Sequence, residues 1–452
     1  MPTVIEKLAA YVVADRTKVL PPDVIHHAKR ALIDWFAALL PGTSLPPATL
    51  LVAALEDELG TGLGGAVIYG TRRRAPIRTA ALINATASHT IEFDDIFRDA
   101  VYHPGCPVIG AALAAAQARG ADGMTLLRAI IAGYEVSTRI GVAVQPSHYN
   151  FWHTTGTIGT FGAAAAVASL LQLDETGTAH ALATAATMAA GLQQAFRSDA
   201  MSKPLHAGHA AEAGALAALA AGRGVTGALD VLEGKAGFGA AMSTGAHWDK
   251  ATEALGKRYN IAAMTFKNHG CCGHAFAAID AALALRPEIG DAGISRIRVG
   301  TYKAALEVTN RTSVATPFEG RFSTPFTVAS AIIHGSVRLN AVTPERLADA
   351  QVQALMKRVE MVVDPDCDAA FPARRSATVE IELDDGRRLS RHQPTRKGDP
   401  DAPLTDDELA DKFLELATPP VGKAAAQTLL ATLRTTDTLD AAAIAKLGAG
   451  PD

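Results

Sequence analysis

His89-Thr90-Ile91-Glu92-Phe93-Asp94-Asp95 is followed, after a short interval, by Val101-Tyr102-His103-Pro104-Gly105. Glu92, Asp94 and Asp95 therefore stand between two imidazoles, in a chain of which only 19% is charged. Histidine is the side chain whose unperturbed pKa lies nearest neutrality, and a neighbouring carboxylate orients it and raises its basicity. Pro104 and Gly105 together do not continue a helix, so His103 is expected in an irregular turn, where acid and base groups are commonly held. The chemistry that fits is proton transfer.

Three further clusters carry reactive side chains. In Ser147 to Thr157, Tyr149 and His153 precede Thr154-Thr155-Gly156, a step expected to cap an alanine-rich helix beginning near Gly159. Free N–H groups and hydroxyls at such a helix start suit a carboxylate, the plainer reading being an N-cap beside a structural histidine. In Met201 to His209, Lys203 is flanked by Ser202 and Pro204 and followed by His206, just ahead of a buried-looking helix. It is placed to hold an anion or to shift its own pKa, against the plainer reading of a surface lysine. Phe266 to His274 gathers Lys267, His269, Cys271, Cys272 and His274. Adjacent cysteines are most simply small core residues; a metal held by His269, Cys271, Cys272 and His274 is the sharper alternative, and no metal is expected. Dinucleotide, phosphate-loop and nucleophile-elbow motifs are all missing, so no cofactor is expected either. Two lysines, several histidines and a group of acids suit a small polycarboxylate. Cations would stabilise charge developing beside one carboxylate while a neutral base takes the proton.

The elements that must position these groups differ along the chain. Alanine-rich runs at 110–118, 161–171, 180–191 and 207–221 are nearly apolar all round, which predicts buried helices in a dense bundle. After about residue 290 the pattern alternates instead. Strands are expected at 295–301, 361–363 and 377–383, with Asp384-Asp385-Gly386 turning into 387–389 and helices at 324–333 and 343–359. From Thr405 the helical pattern returns. The expected fold is mainly α: a large all-α domain built from both chain ends (1–265 and 396–452) plus an inserted, smaller α+β domain (266–395). A net charge of −4 without a basic block argues against nucleic acid. No stretch approaches about 18 apolar residues, which argues against a membrane span. The first residues do not read as a signal peptide, and four cysteines make no disulfide framework, so a cytoplasmic location is expected.

Five segments together resemble the MmgE/PrpD family, which includes 2-methylcitrate dehydratases, cis-aconitate decarboxylases and an iminodisuccinate epimerase. They are Glu92 to Asp95 with His103-Pro104-Gly105, His153 to Phe161, Lys203 to Gly208, Lys267 to Asp280, and Glu319 to Phe326 with Ile332 to Ser336. The resemblance implies a helical domain from both chain ends, an inserted lid, an active site between them, and a homodimer needing neither metal nor organic cofactor. It implies a pocket lined by His103, His153, Lys203 and Lys267, faced by Cys271, Cys272 and His274. His103, His153, Lys203 and His274 are the expected catalytic groups. Glu92, Asp95, Lys267, Cys271, Cys272 and Tyr149 are expected to bind or orient the substrate. Two positions depart from the family: Glu92 where aspartate is common, and Phe326 where many members have tyrosine. Tyr102, Tyr149 or Tyr302 could supply the missing hydroxyl. The expected activity is a lyase of the 2-methylcitrate dehydratase type. The alternatives are an epimerase of an amino-dicarboxylate such as iminodisuccinate, a cis-aconitate-type decarboxylase, and a non-catalytic binding protein on the same fold.

Overall fold

Helix starts follow side-chain chemistry. Thr3 and Glu6 close a capping box over helix Val4–Asp15, and Thr405 and Glu408 close another over Asp406–Val421. Asp122 caps Gly123–Val144 and Asp174 caps Glu175–Met188, each carboxylate accepting from a first-turn N–H. A computed structural model describes residues 1–60, 65–196, 200–371 and 373–449. Its contacts divide the chain into two units, Met1–Thr265 with Thr405–Asp452, and Phe266–Leu404.

In the first unit, helices Ile77–His89, Gly105–Arg119, Gly123–Val144, Thr154–Leu170 and Ser202–Ala221 pack on one another, and every residue of Thr154–Leu170 is buried. Small residues set the spacing. A Cβ on Gly208 would overlap Thr86 Oγ1, and one on Gly214 would overlap the carbonyl oxygen of Thr160. The alanine-rich runs are helices, but they begin earlier than alanine alone suggests: at Gly105, at Thr154 rather than Gly159, and at Ser202 rather than Ala207. The threonines of the 154–160 step do not cap. Thr157 Oγ1 donates to the His153 carbonyl (3.3 Å) and Thr160 Oγ1 to that of Gly156 (3.0 Å), so the hydroxyls are satisfied inside the helix. Lys203 consequently lies in a helical first turn rather than ahead of it, with Pro204 at a position whose N–H needs no partner.

The returning helix Asp406–Val421 packs on Pro22–Gly42. Buried Lys412 donates there to Asp34 Oδ1 (2.5 Å) and to the Phe93 carbonyl (2.9 Å). A small antiparallel pair, β1 (Ala66–Ile68) and β2 (Arg73–Ala75), completes the described strands of this unit.

The second unit is built on a four-stranded sheet of β3 (Ile294–Thr301), β4 (Val359–Val363), β5 (Ala377–Leu383) and β6 (Arg388–Gln393), in the order β4-β3-β5-β6. β3 pairs parallel with β4 and antiparallel with β5. The alternation of β5 is literal: Ala377, Val379, Ile381 and Leu383 are buried, and the residues between them are not. Gly386, at φ +88, turns β5 into β6. Helices Phe276–Ile289 and Thr324–His334 cover the apolar core. The single helix expected over 343–359 is broken. Thr343 caps Pro344–Leu347, Asp349 caps a separate Ala350–Met356, and Val359 already pairs with Ile297. Asp349 Oδ1 takes the N–H groups of Gln351 and Val352, which restarts the helix instead of continuing it.

Candidate active site

His89 closes helix Ile77–His89, and the chain then turns through Glu92, whose φ of +62 is left-handed. That turn delivers Asp94 to the centre of a buried hub. Asp94 Oδ2 lies 2.7 Å from His89 Nδ1, 2.9 Å from His103 Nδ1 and 3.2 Å from Cys106 Sγ. An ionised carboxylate only accepts, so the hydrogen bond assigns the Nδ1 proton of His89, while His103 Nδ1 stands at ion-pair distance from the same oxygen. Burial, and then the charge of Asp94, push the Cys106 thiol well above its ordinary pKa, so it stays a protonated donor. Among the described residues, His89, Asp94 and Cys106 are a group whose donor atoms lie close enough to hold a metal ion. The same three side chains are joined by hydrogen bonds on Asp94 Oδ2.

From this hub a row of imidazoles extends. Ring centroids are 5.1 Å apart for His103 and His89, 5.6 Å for the stacked His89 and His153, and 5.2 Å for His153 and His206. His153 Nδ1 and His206 Nδ1 are 3.0 Å apart, so one donates and the other accepts. Burial, reinforced by the neighbouring positive groups, holds His153 well below the usual histidine range and His206 at about 4. Both are neutral near pH 7. His153 is the N-cap residue of Thr154–Leu170, and His206 sits early in Ser202–Ala221. The His103 N–H donates to Thr155 Oγ1 (3.3 Å), which brings the start of Gly105–Arg119 to the same place. Three helix N-termini thus add positive potential to one region. Lys203 pairs with Glu92 there, each side chain about a quarter exposed, at 21% and 25%.

Asp95 points elsewhere. Its Oδ1 accepts from Gly105 N (2.9 Å) and its Oδ2 from the Tyr134 hydroxyl (2.7 Å), both buried. Burial first, and Asp34 next, raise its pKa to about 8. Asp95 therefore anchors the loop beneath the hub. Tyr149 is half-buried in the Ser147–Asn150 turn; its neighbour His148 bonds Thr157 Oγ1 (2.7 Å) and the Met242 carbonyl (3.0 Å), not the imidazole row. Asp94, His89, His206 and Lys412 were not singled out as site residues from sequence. The first two had a local signal in their spacing from His103. Lys412 had none, standing 378 residues from Asp34.

In the second unit Lys267 is buried, and Cys271 lies in the apolar core with its thiol pushed well up by burial. Cys272 is half-buried and donates its N–H to the Arg321 carbonyl (2.8 Å). His269 Nε2 bonds Asp280 Oδ1 (2.8 Å), whereas His274 Nδ1 bonds the Tyr302 hydroxyl (2.7 Å), so His269, Cys271, Cys272 and His274 have separate engagements. Burial, then the positive charges of Arg375 and Arg396, hold His274 at about 4. Phe326 is fully buried in the core on helix Thr324–His334. Of the three tyrosines offered from sequence, Tyr302 is the one whose hydroxyl bonds His274.

The description of the MmgE/PrpD N-terminal domain matches residues 6–251 and that of the MmgE/PrpD C-terminal domain matches residues 269–438. The cis-aconitate decarboxylase-like protein oryM of Aspergillus oryzae is 28% identical over 425 residues, covering 88% of this chain and 87% of that protein. The cis-aconitate decarboxylase of Homo sapiens is 27% identical over 408 residues (86% and 82%), and that of Aspergillus terreus 25% over 428 residues (89% and 86%). No described helix is long and apolar enough to cross a membrane.

Proposed function

The chain belongs to the MmgE/PrpD family, and on that premise we propose that it is a cofactor-independent lyase that decarboxylates a small polycarboxylate of the cis-aconitate type. The observation that carries the reading is the sharing of Asp94 Oδ2 by His89 Nδ1 and His103 Nδ1. Loss of carbon dioxide breaks the bond between the carboxyl carbon and the chain. The electron pair stays on the carbon skeleton, which must then receive a proton. Asp94 stabilises the imidazolium form of His103, so that Nε2 can deliver that proton. Lys203 and the helix N-termini hold the remaining carboxylates and stabilise the developing charge. Neutral His153 and His206 offer hydrogen bonds without competing for the transferred proton.

Dehydration of the 2-methylcitrate type would use the same Asp94–His103 unit in the opposite sense, as the base that removes an alpha proton. The relatives' names favour decarboxylation between the two. The relatives' names give no such support to the epimerase alternative. The test is trapping of released carbon dioxide from cis-aconitate, run beside 2-methylcitrate dehydration, with wild type and H103Q. Release by wild type and a loss of about 10²–10⁴-fold in H103Q are expected. Full activity in H103Q would remove His103 from proton transfer.

A further inference from the structure

Two arginines of the second unit are differently placed: one is paired with a carboxylate and the other has a buried donor unmatched. Arg396 is buried and spends its charge on Asp399, with Nε to Oδ2 at 2.9 Å and Nη2 to Oδ1 at 2.7 Å. Its approach needs Gly273, where a Cβ would come within 2.8 Å of Arg396 Nη1. Arg375 stands just ahead of β5. The next residue, Ser376, accepts at its carbonyl from Thr301 Oγ1 (2.9 Å), and Ala377 pairs in register with Thr301. This places Arg375 at the end of β3 from which Tyr302 emerges. Tyr302 stacks on Phe371 (4.4 Å between centroids, 12° between planes) and bonds His274 Nδ1. Arg375 Nε is buried and has no hydrogen-bond partner among the described residues.

A guanidinium does not shed its proton at any ordinary pH, and burying one donor unmatched is costly. Burial, and then the positive charge of Arg396, lower the pKa of Arg375. Arg396 has its carboxylate in Asp399, whereas the buried Nε of Arg375 is left for an acceptor to meet. The planar fork of arginine matches a carboxylate, and the neutral His274 with the Tyr302 hydroxyl supplies further polar partners. We propose that Arg375, with His274 and Tyr302, forms a carboxylate-binding site in the second unit. The ligand's class rests on the polycarboxylate reading of the protein's function; the unmatched Nε of Arg375 does not.

The test is calorimetric titration of the full-length protein with tricarballylate, a tricarboxylate that has no double bond or hydroxyl to react. Wild type is compared with R375M and with R375K, and turnover is measured in parallel. R375M should weaken tricarballylate binding by about 10–100-fold. R375K keeps the charge but not the fork, so it should fall between the two and serves as the folding control by its melting temperature. Unchanged binding in R375M, or no binding by wild type, would overturn the site. Turnover of a polycarboxylate with unchanged R375M binding would sink the site and leave the lyase reading intact. Binding lost in R375M without any wild-type turnover would sustain the site and sink the lyase reading.

Discussion

A carboxylate oxygen that accepts from one imidazole and a thiol, and stands 2.9 Å from a second imidazole nitrogen, fixes the tautomer of the first ring and holds the second beside a negative charge. Replacing Asp94 with Asn puts an amide in its place, which has no charge to set beside His103 as it takes up and delivers a proton. D94N should fold and lose about 10²–10³-fold in kcat, with less change in KM; an unchanged kcat would show that the hub is structural only. Asp95 makes the contrasting case. Its pKa rises from 3.8 unfolded to about 8 folded, so the folded state favours the protonated form. Its contribution to stability is complete below about pH 4 and is lost as pH rises through about 8. Melting temperature measured from pH 4.5 to 8.5 should therefore fall less steeply in D95N than in wild type. Parallel slopes would contradict the assignment. These two neighbours in sequence have opposite duties, and only their surroundings separate them.

At the scale of elements, close packing of small residues holds the helix starts that carry His153, Lys203 and His206. G214A sets a methyl against the Thr160 carbonyl, which belongs to a fully buried helix and cannot retreat. Urea denaturation should show a loss of about 1–3 kcal/mol; a neutral result would mean that the two helices part more easily than their packing implies. The buried Lys412–Asp34 pair does a different job, tying the returning helix to the Phe93 carbonyl one residue before Asp94. K412M leaves Asp34 uncompensated and should cost about 3–5 kcal/mol, with partial recovery in D34N/K412M. No recovery in the double variant would argue that Lys412 acts through Phe93 alone. The alternating strands and the Asp-Asp-Gly turn could be read directly, because a period of two and a positive-φ glycine are local properties. The start of Thr154–Leu170 could not, since threonines that cap and threonines that bond back into a helix look alike in sequence.

Across the whole molecule, what could be read from sequence was what stays close along the chain. The mainly helical fold with a small sheet region, and the histidine–carboxylate run from His89 to His103, were both visible in this way. The imidazole row was not, because His206 meets His153 across 53 residues, and only strand register brings Arg375 to the end of β3 from which Tyr302 emerges. Membership of the MmgE/PrpD family gives the lyase setting, and in the reading proposed above the Asp94–His103 pair supplies the proton. The most direct test follows cis-aconitate in D₂O by NMR with wild type and H103Q. Wild type should produce a methylene-bearing dicarboxylate that has lost one carboxyl and gained one deuterium, and H103Q should leave the acid unchanged. An unchanged substrate with wild type, or deuterium exchange without loss of carbon dioxide, would contradict the decarboxylase reading.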